Sequence, residues 1–262
     1  MKKSAKIWLV TAAILVTLGL FLFVGVMFST GWDFSKIGTL QYVTKSYEIS
    51  EDFNNISINT HTADIKFELS FDGKCRVVYF GEEKTELSVL ASEDTLVVNQ
   101  NTDKAWYDYI NINFVSPKIT VFLPKTAFNS VFINESTGNI FIEKISANSM
   151  ELNLSTGHIE LSDIACQTLT STGGTGDVAL KNVIASKSLT ISRSTGDIEF
   201  MDCDAPEIFV STDTGDVEGT LLSKKVFITN TSTGKVNVPK SSSGGRCQII
   251  TSTGDIEISV KK

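Results

Sequence analysis

Residues 194–200 read STGDIEF, and this stretch decides the fold because the chain carries seven versions of it. In each version a small residue and Thr precede a glycine, and a polar residue and then Ile or Val follow it. Successive glycines are 19 or 20 residues apart; they are Gly138, Gly157, Gly176, Gly196, Gly215, Gly234 and Gly254. Seven copies in one register predict a repeat architecture.

Each repeat contains two short segments in which apolar and polar residues alternate, such as LTIS at 189–192 and DIEF at 197–200. This alternation is typical of β-strands, and the glycine between the segments suits a turn with positive φ. No repeat has room for a helix. We therefore predict an all-β, single-stranded β-solenoid of 19–20-residue coils. The coils should stack in sequence order, about 4.8 Å apart.

Two inward columns of apolar side chains should form the core of this solenoid. The first lies two residues after the glycines and contains Ile140, Ile159, Val178, Ile198, Val217, Val236 and Ile256. The second contains Ile142, Leu161, Leu180, Phe200, Val238 and Ile258, with Gly219 as its one gap.

The repeats become less regular toward the N-terminus. Residues 131–262 form the regular solenoid, whereas residues 44–130 read as degenerate coils, with strands such as CRVVYF and TLVVNQ but few glycines. A polar and aromatic segment at 101–113 breaks the register. It is interpreted as an irregular loop or as a cap over the open end of the stack.

The N-terminus predicts where the protein is located. Residues 7–28 carry no charge, and a helix of that length spans a bilayer core of roughly 30 Å. Three lysines precede this segment, so the positive-inside rule places residues 1–6 in the cytoplasm and the C-terminal domain outside. The segment is longer than a typical signal-peptide core. We predict a single-pass cell-membrane protein with a transmembrane signal anchor at 7–28 and a juxtamembrane linker at 29–43.

Composition excludes several classes of function. The formal net charge is −7, and a nucleic-acid-binding protein would instead need a basic face. The two histidines are distant in the predicted stack, so neither a His-based metal centre nor a Ser-His-Asp triad is expected. The sequence predicts no cofactor.

Four features together resemble a known bacterial family. They are the N-terminal anchor, the ADIKF strand at 63–67, the ITVFLP strand at 119–124 and the STGDI repeats. The chain is similar over about residues 44–260 to membrane-anchored β-strand-repeat domains of unknown function that are labelled "putative adhesin". The resemblance implies a right-handed β-solenoid ectodomain with envelope functions, and it carries no catalytic residues.

An acidic stripe is the one candidate metal site. Stacking places Asp197, Glu199, Asp216 and Glu218 on neighbouring coils, where like charges would favour a cation such as calcium. The alternative is structural, with Asp capping a turn and Glu keeping the strand soluble. The glycine-rich nonapeptide of calcium β-rolls is absent from the sequence.

Aromatic side chains offer a second candidate surface. Alternation predicts that Phe209 and Phe227 point outward on adjacent coils, where they could stack on a sugar ring or contact a partner. Trp106 and Tyr107 form a comparable patch in the irregular segment. The expected partners are the membrane, a cell-wall glycan or another envelope protein, and for the aromatic residues packing or self-association is the alternative.

The favoured function is a non-enzymatic adhesin or envelope scaffold, because repeated faces supply many equivalent contacts. One alternative is an envelope-stress sensor or regulatory partner of a membrane protein. The other is a polysaccharide lyase or hydrolase, for which Arg193 beside Asp177 and Asp197 is the only candidate cluster.

The cysteines test the stacking order. Cys166, Cys203 and Cys247 fall in the second, fourth and sixth coils, so no pair is close enough for a disulfide. We predict free and mostly buried thiols for these three residues.

Overall fold

The computed structural model describes residues 3–32, 41–101 and 115–261, which fall into an N-terminal helix and a compact β domain. The helix is α1 (Lys3–Ser29). The strands are β1 (Tyr42–Ile49), β2 (Asn55–Thr62), β3 (Asp64–Leu69), β4 (Cys75–Glu82), β5 (Glu86–Ser92), β6 (Thr95–Asn101), β7 (Lys118–Leu123), β8 (Ala127–Thr137), β9 (Ile140–Glu143), β10 (Ser146–Thr156), β11 (Ile159–Thr175), β12 (Val178–Thr195), β13 (Ile198–Cys203), β14 (Glu207–Thr214), β15 (Val217–Leu221), β16 (Lys225–Thr233), β17 (Val236–Asn237), β18 (Gly245–Thr253) and β19 (Ile256–Val260).

The helix fits the apolar N-terminal segment. Its Lys6–Ser29 stretch is long and apolar enough to cross a membrane, as either an anchor or a secretion signal does. The side chains of this stretch are almost all exposed in the isolated chain, which is expected of a helix whose natural surroundings are lipid.

The β domain is a solenoid made of two series of paired strands. The first series runs β5–β6–β2–β8–β10–β11–β12–β14–β18–β16, and the second runs β1–β4–β7–β3–β9–β11–β12–β13–β15–β19–β17. The long strands β11 and β12 belong to both series because they continue around a corner of the coil. Strands preceding the glycines thus form one face, and strands following them form another.

The predicted stacking order is wrong at the C-terminal end. The seventh repeat (β18–β19) lies between the fifth (β14–β15) and the sixth (β16–β17), so the sixth repeat is the last coil of the stack. The burial of the inner side chains explains why the sixth and seventh repeats exchange places in the stack. Inside the stack, Val210 of the fifth repeat and Ile249 of the seventh are fully buried, whereas the matching residue of the sixth repeat is the polar Thr229. The repeat with the more apolar inner face therefore takes the inner position.

Both inward columns form the core as predicted, with departures only in the last coil. The members from Ile140 to Val217 and the members of the seventh repeat are buried. Val236 is 45% exposed and Val238 is only partly buried, because no coil follows the sixth repeat in the described structure.

The N-terminal region departs further from the repeat. Strands β2 and β3 form a coil that pairs in parallel with β8 and β9, as expected for a degenerate repeat. Strands β1, β4 and β5, however, pair antiparallel with their neighbours β4, β7 and β6, so they are not solenoid coils. Antiparallel strands let the sheet end in hairpins instead of further coils. The segment at 101–113 lies almost entirely outside the described residues.

The glycine corner sets the spacing of the coils. Gly215 has a φ of +150°, and a Cβ placed on it would lie 2.0 Å from the carbonyl oxygen of Gly196 in the preceding coil. A Cβ placed on any of the other repeat glycines would be equally crowded. On Gly254 it would meet the carbonyl of Gly215, and on Gly234 it would meet the carbonyl of Gly254. Any side chain at this corner would force two coils apart.

We expect Gly215→Ala to lower the free energy of unfolding by about 3 kcal/mol, since it adds both an unfavourable φ and a backbone clash. Urea denaturation measures this loss. The matched control is Gly73→Ala, because Gly73 also has a positive φ of +69° but open space around its Cβ position. The control should cost only about 1 kcal/mol. An equal loss in both variants would contradict the role assigned to close coil contact.

Polar side chains are buried at the inner corner of the coils, next to the glycines. Thr212, Thr231 and Thr251 each donate a hydrogen bond to the carbonyl of a corner glycine. At the corresponding position of the first repeat stands Glu135, which is 2% exposed and accepts hydrogen bonds from the Thr60 hydroxyl and the backbone amide of Thr137. Burial raises the pKa of Glu135 to about 7, although these hydrogen bonds act in the opposite direction.

This raised pKa makes stability depend on pH. The folded pKa lies above the ordinary value of 4.5, so the stabilisation by protonated Glu135 is fully present below about pH 4.5 and is lost as the pH rises through about 7. Glu135→Gln should therefore match the wild type at pH 5 and exceed it at pH 8, by up to about 3 kcal/mol. Urea unfolding at both pH values measures the difference, with Glu160→Gln on the surface as control. Parallel pH profiles for wild type and Glu135→Gln would refute the assignment.

All four cysteines are free and buried, which confirms the prediction for Cys166, Cys203 and Cys247 and extends it to Cys75. Burial raises the pKa of each thiol, to about 12 for Cys247 and about 11 for the others. These thiols therefore act as small apolar core residues rather than as nucleophiles.

Candidate functional site

The first strand series presents a flat outer face of mostly uncharged polar side chains. On strands β10, β11, β12, β14 and β18 the outward residues include Ser149, Asn153, Thr168, Thr170, Thr172, Ser188, Thr190, Ser192, Ser211 and Gln248. Adjacent strands repeat these hydroxyl and amide groups about every 4.8 Å. Some bond to one another, as when the Gln167 amide donates to Asn148 at 3.0 Å.

Phe209 is the exposed aromatic side chain of this face. It is 38% exposed, and its partners on the two flanking strands are Thr190 and Gln248. Two residues before Phe209 on the same strand, Glu207 lies opposite Arg246 of β18. The Arg246 guanidinium donates a 2.6 Å hydrogen bond to the Gln248 side-chain oxygen.

These residues line a shallow cavity of about 320 Å³, together with Ser188 and Ile208. We call it the Phe209 patch, and define it as Ser188, Thr190, Glu207, Phe209, Arg246 and Gln248. Chemically it combines an aromatic face, hydroxyl and amide groups, a carboxylate and a guanidinium in one plane. An aromatic ring offers an apolar surface to the C–H face of a sugar, and the polar groups can donate to and accept from its hydroxyls.

The prediction that Phe227 points outward beside Phe209 is wrong. Phe227 pairs with the buried Cys247, so it occupies the inward column and packs against the core. Its outward neighbour Ile228 is 47% exposed and is separated from Phe209 by Gln248. Phe227 lines a groove of about 1010 Å³ at the last coil, together with Val238 and Ile258.

Sequence reasoning missed the polar partners of Phe209, although the signal was present. Phe209 lies six residues before its repeat glycine, and the residues six before the other repeat glycines are Phe132, Glu151, Thr170, Thr190, Ile228 and Gln248. Counting from the glycine thus gives Ile228, not Phe227, as the equivalent of Phe209. The place of Gln248 directly beside Phe209 additionally required the exchange of the sixth and seventh repeats.

Trp106 and Tyr107, the other predicted aromatic patch, lie outside the described residues.

The residues directly after the repeat glycines, together with Asp64 after Ala63, form a continuous hydrogen-bonded ladder along the second face. Each side chain accepts a hydrogen bond from the backbone amide of the next member, at 2.7–3.1 Å. We call it the post-glycine ladder; in stacking order it is Asp64, Asn139, His158, Asp177, Asp197, Asp216, Asp255 and Lys235. The alternative that these aspartates cap backbone amides is thus correct. Each carboxylate, however, accepts an amide of the neighbouring coil rather than one of its own turn.

The post-glycine ladder gives two of the four candidate calcium ligands a structural role. Asp197 and Asp216 each use one carboxylate oxygen to accept a backbone amide. Glu199 and Glu218 lie two residues further along, and Glu218 is followed by Glu257 of the inserted seventh repeat. Among the described residues no three Asp, Glu, His or Cys side chains converge as a metal site would require. Calcium binding by the stripe stays a prediction.

Arg193, the candidate base of the lyase alternative, does not reach the surface. It is 3% exposed, and its guanidinium donates to the Leu154 carbonyl at 3.0 Å and to the Ser171 hydroxyl at 3.1 Å. Gly173 makes room for it, since a Cβ there would lie 1.8 Å from the Arg193 Nη1 atom. Burial lowers the pKa of Arg193 to about 10. The residue ties coils together inside the core and cannot contact a polysaccharide.

Stacked glycine-cornered repeats with a polar outer face define a β-solenoid protein. The Toastrack DUF4097 family model matches residues 53–188, just over half of the 262 residues, and the chain belongs to this family of unknown function. The sequence-based resemblance to the "putative adhesin" domains is thereby confirmed. No curated protein matches the sequence.

Two solved structures share the fold. A putative adhesin from Bacteroides fragilis NCTC 9343 is 19% identical with a TM-score of 0.57, and the match covers 84% of this chain and 97% of that one. A putative lipid binding protein from Parabacteroides distasonis ATCC 8503 is 15% identical with a TM-score of 0.51, covering 85% and 98%. At these identities the likeness establishes the fold alone.

The ladder predicts that two substitutions of Asp216 lower the free energy of unfolding by different amounts. Asp216→Ala removes the acceptor of the Asp255 amide and should cost about 1 kcal/mol, whereas Asp216→Asn keeps the oxygen and should cost less than about 0.5 kcal/mol. Urea unfolding of both variants, with Glu218→Ala as the control without a ladder contact, gives these values. Equal losses for Ala and Asn would show that charge, not the hydrogen bond, matters at this position.

Proposed function

We propose that this protein is a non-enzymatic binding protein of the cell envelope, tethered by its N-terminal helix, whose solenoid contacts a glycan through the Phe209 patch. In this proposal residues 1–6 lie in the cytoplasm, residues 7–28 span the membrane, and a right-handed solenoid of 19–20-residue coils lies outside. The observation that carries the proposal is the Phe209 patch, in which an exposed aromatic ring is flanked by Thr190 and Gln248 on a flat, largely uncharged face.

The geometry of the face favours a polymeric ligand. Equivalent hydroxyl and amide groups recur on every strand, so a glycan chain lying on the face meets several similar weak sites in succession. Linked weak contacts raise the overall affinity well above that of one site. A shallow open patch also suits binding better than catalysis, because catalytic groups gain their strength where water is excluded.

Membrane tethering fits the same role. The Lys6–Ser29 segment has the length and composition of a membrane span, and the preceding lysines favour a cytoplasmic N-terminus. The name of the Bacteroides fragilis structure agrees with an adhesive role. The name of the Parabacteroides distasonis structure, a lipid binding protein, suggests instead a contact with lipid, which the binding test below distinguishes.

Co-sedimentation of the full-length protein in detergent with isolated bacterial cell walls tests the proposal. We expect saturable binding, and we expect Phe209→Ala to weaken it about tenfold, since it removes an aromatic contact worth about 1 kcal/mol and the apolar area buried with it. Phe141→Ala is the matched control, because Phe141 lies on β9 of the second strand series, outside the face that carries Phe209.

The outcomes separate the alternatives. Binding that is unaffected by Phe209→Ala contradicts the proposed patch, and absence of binding contradicts the glycan ligand and favours a protein partner. Wall binding that requires calcium, and that Asp216→Asn weakens, would make the acidic stripe the site instead. The N-terminal helix alone would insert into lipid, so a lipid ligand would be favoured only by association with detergent-free vesicles that Phe209→Ala weakens, together with absence of wall binding.

A further inference from the structure

Within residues 41–101 and 115–261, the first strand series ends at both sides in sheet edges with no further partner strand, and these two edges carry opposite charge. At one end β5 pairs only with β6, and at the other β16 pairs only with β18 among the described strands. Each of these edges therefore presents a row of backbone amide and carbonyl groups that can pair with another strand.

The first edge is acidic. Glu83, Glu86, Glu93 and Asp94 lie on β5 or beside its ends, and all are exposed. Lys84 is the one basic residue of the 83–94 segment, so the segment carries a net charge of −3.

The second edge is basic. Residues 222–244, which contain β16 and β17, carry four lysines and no acidic residue, in a chain whose overall charge is −7. Lys224, Lys235 and Lys240 are exposed, whereas Lys225 is buried and pairs with Asp204. The exposed charge of this edge is therefore opposite in sign to that of the β5 edge, where Lys45 of β1 donates to the Glu83 and Thr85 carbonyls and offsets part of the negative charge.

We propose that a second copy of this chain docks end to end, with the acidic β5 edge of one molecule on the basic β16 edge of the next. This inference is independent of glycan binding. The strands match in length, at seven and nine residues, and each has one large exposed apolar side chain, Leu90 on β5 and Ile228 on β16. Pairing would be antiparallel, since β5 runs opposite to the other strands of its series.

Charge also excludes the symmetric arrangements. Two β16 edges would bring lysines together and two β5 edges would bring carboxylates together, and like-charge contact across an interface costs several kcal/mol. A contact between unlike ends is heterologous, so it continues from molecule to molecule and forms a row rather than a closed dimer.

Charge exchange tests this arrangement in the full-length protein in detergent, with sedimentation velocity as readout. We expect the wild type to form oligomers that dissociate at high salt. Glu86→Lys with Glu93→Lys, or Lys224→Glu with Lys235→Glu, should each weaken association at least about tenfold. An equimolar mixture of the two variants should restore it, because each contact between one variant and the other is again between unlike charges. Glu160→Lys with Lys181→Glu, on the middle coils, is the matched control and should behave as wild type.

Disulfide trapping identifies the contact itself, since the native cysteines are buried. Leu90→Cys with Ile228→Cys in one chain should give a ladder of cross-linked multimers, and neither single variant should cross-link. Dimers from Ile228→Cys alone would show a symmetric contact and overturn the proposal. A wild type that stays monomeric at all concentrations, or oligomers that the charge variants leave unchanged, would overturn it as well.

Discussion

The structure depends on one constraint, the contact between the backbones of successive glycine corners. With no side chain at the corner, the carbonyl oxygen of one coil lies where the Cβ of the next would be, at about 2.0 Å for most repeats. This contact holds the coils at strand-pairing distance. It also brings each post-glycine side chain within reach of the next backbone amide, so the ladder from Asp64 to Lys235 and the register of both faces follow from it.

Much of this architecture could be predicted from the glycines and the alternation alone, because side-chain direction in a strand has a strict period of two. The core columns, the helix and the free cysteines agree with the sequence-based expectations. The exchange of the last two repeats was not predicted, although two residues indicate it. Thr229 is polar where an inner coil needs an apolar side chain. Lys235 has no acceptor with which to continue the ladder, so its repeat must come last.

The candidate site was predictable only in part, for a related reason. The exposure of Phe209 follows from local alternation, but its neighbours depend on which repeats are adjacent in space. Arg246 and Gln248 lie 37 and 39 residues after Phe209 and meet it only because the seventh repeat is inserted. The burial of Arg193 could not be predicted from local alternation either. It depends on the absence of a side chain at Gly173 on the neighbouring coil.

The inserted repeat has a consequence for how the chain folds. From the second repeat to the fifth, each coil can add to the one before it as the chain leaves the ribosome or the translocation channel, because the partner strands are about 19 residues apart. The fifth repeat, however, also pairs on its other side with the seventh repeat, 39 residues ahead at Ile208 and Cys247. Closing so long a loop is slower than local pairing. The coil between the fifth and sixth repeats is therefore completed only after strands β18 and β19 have been synthesised.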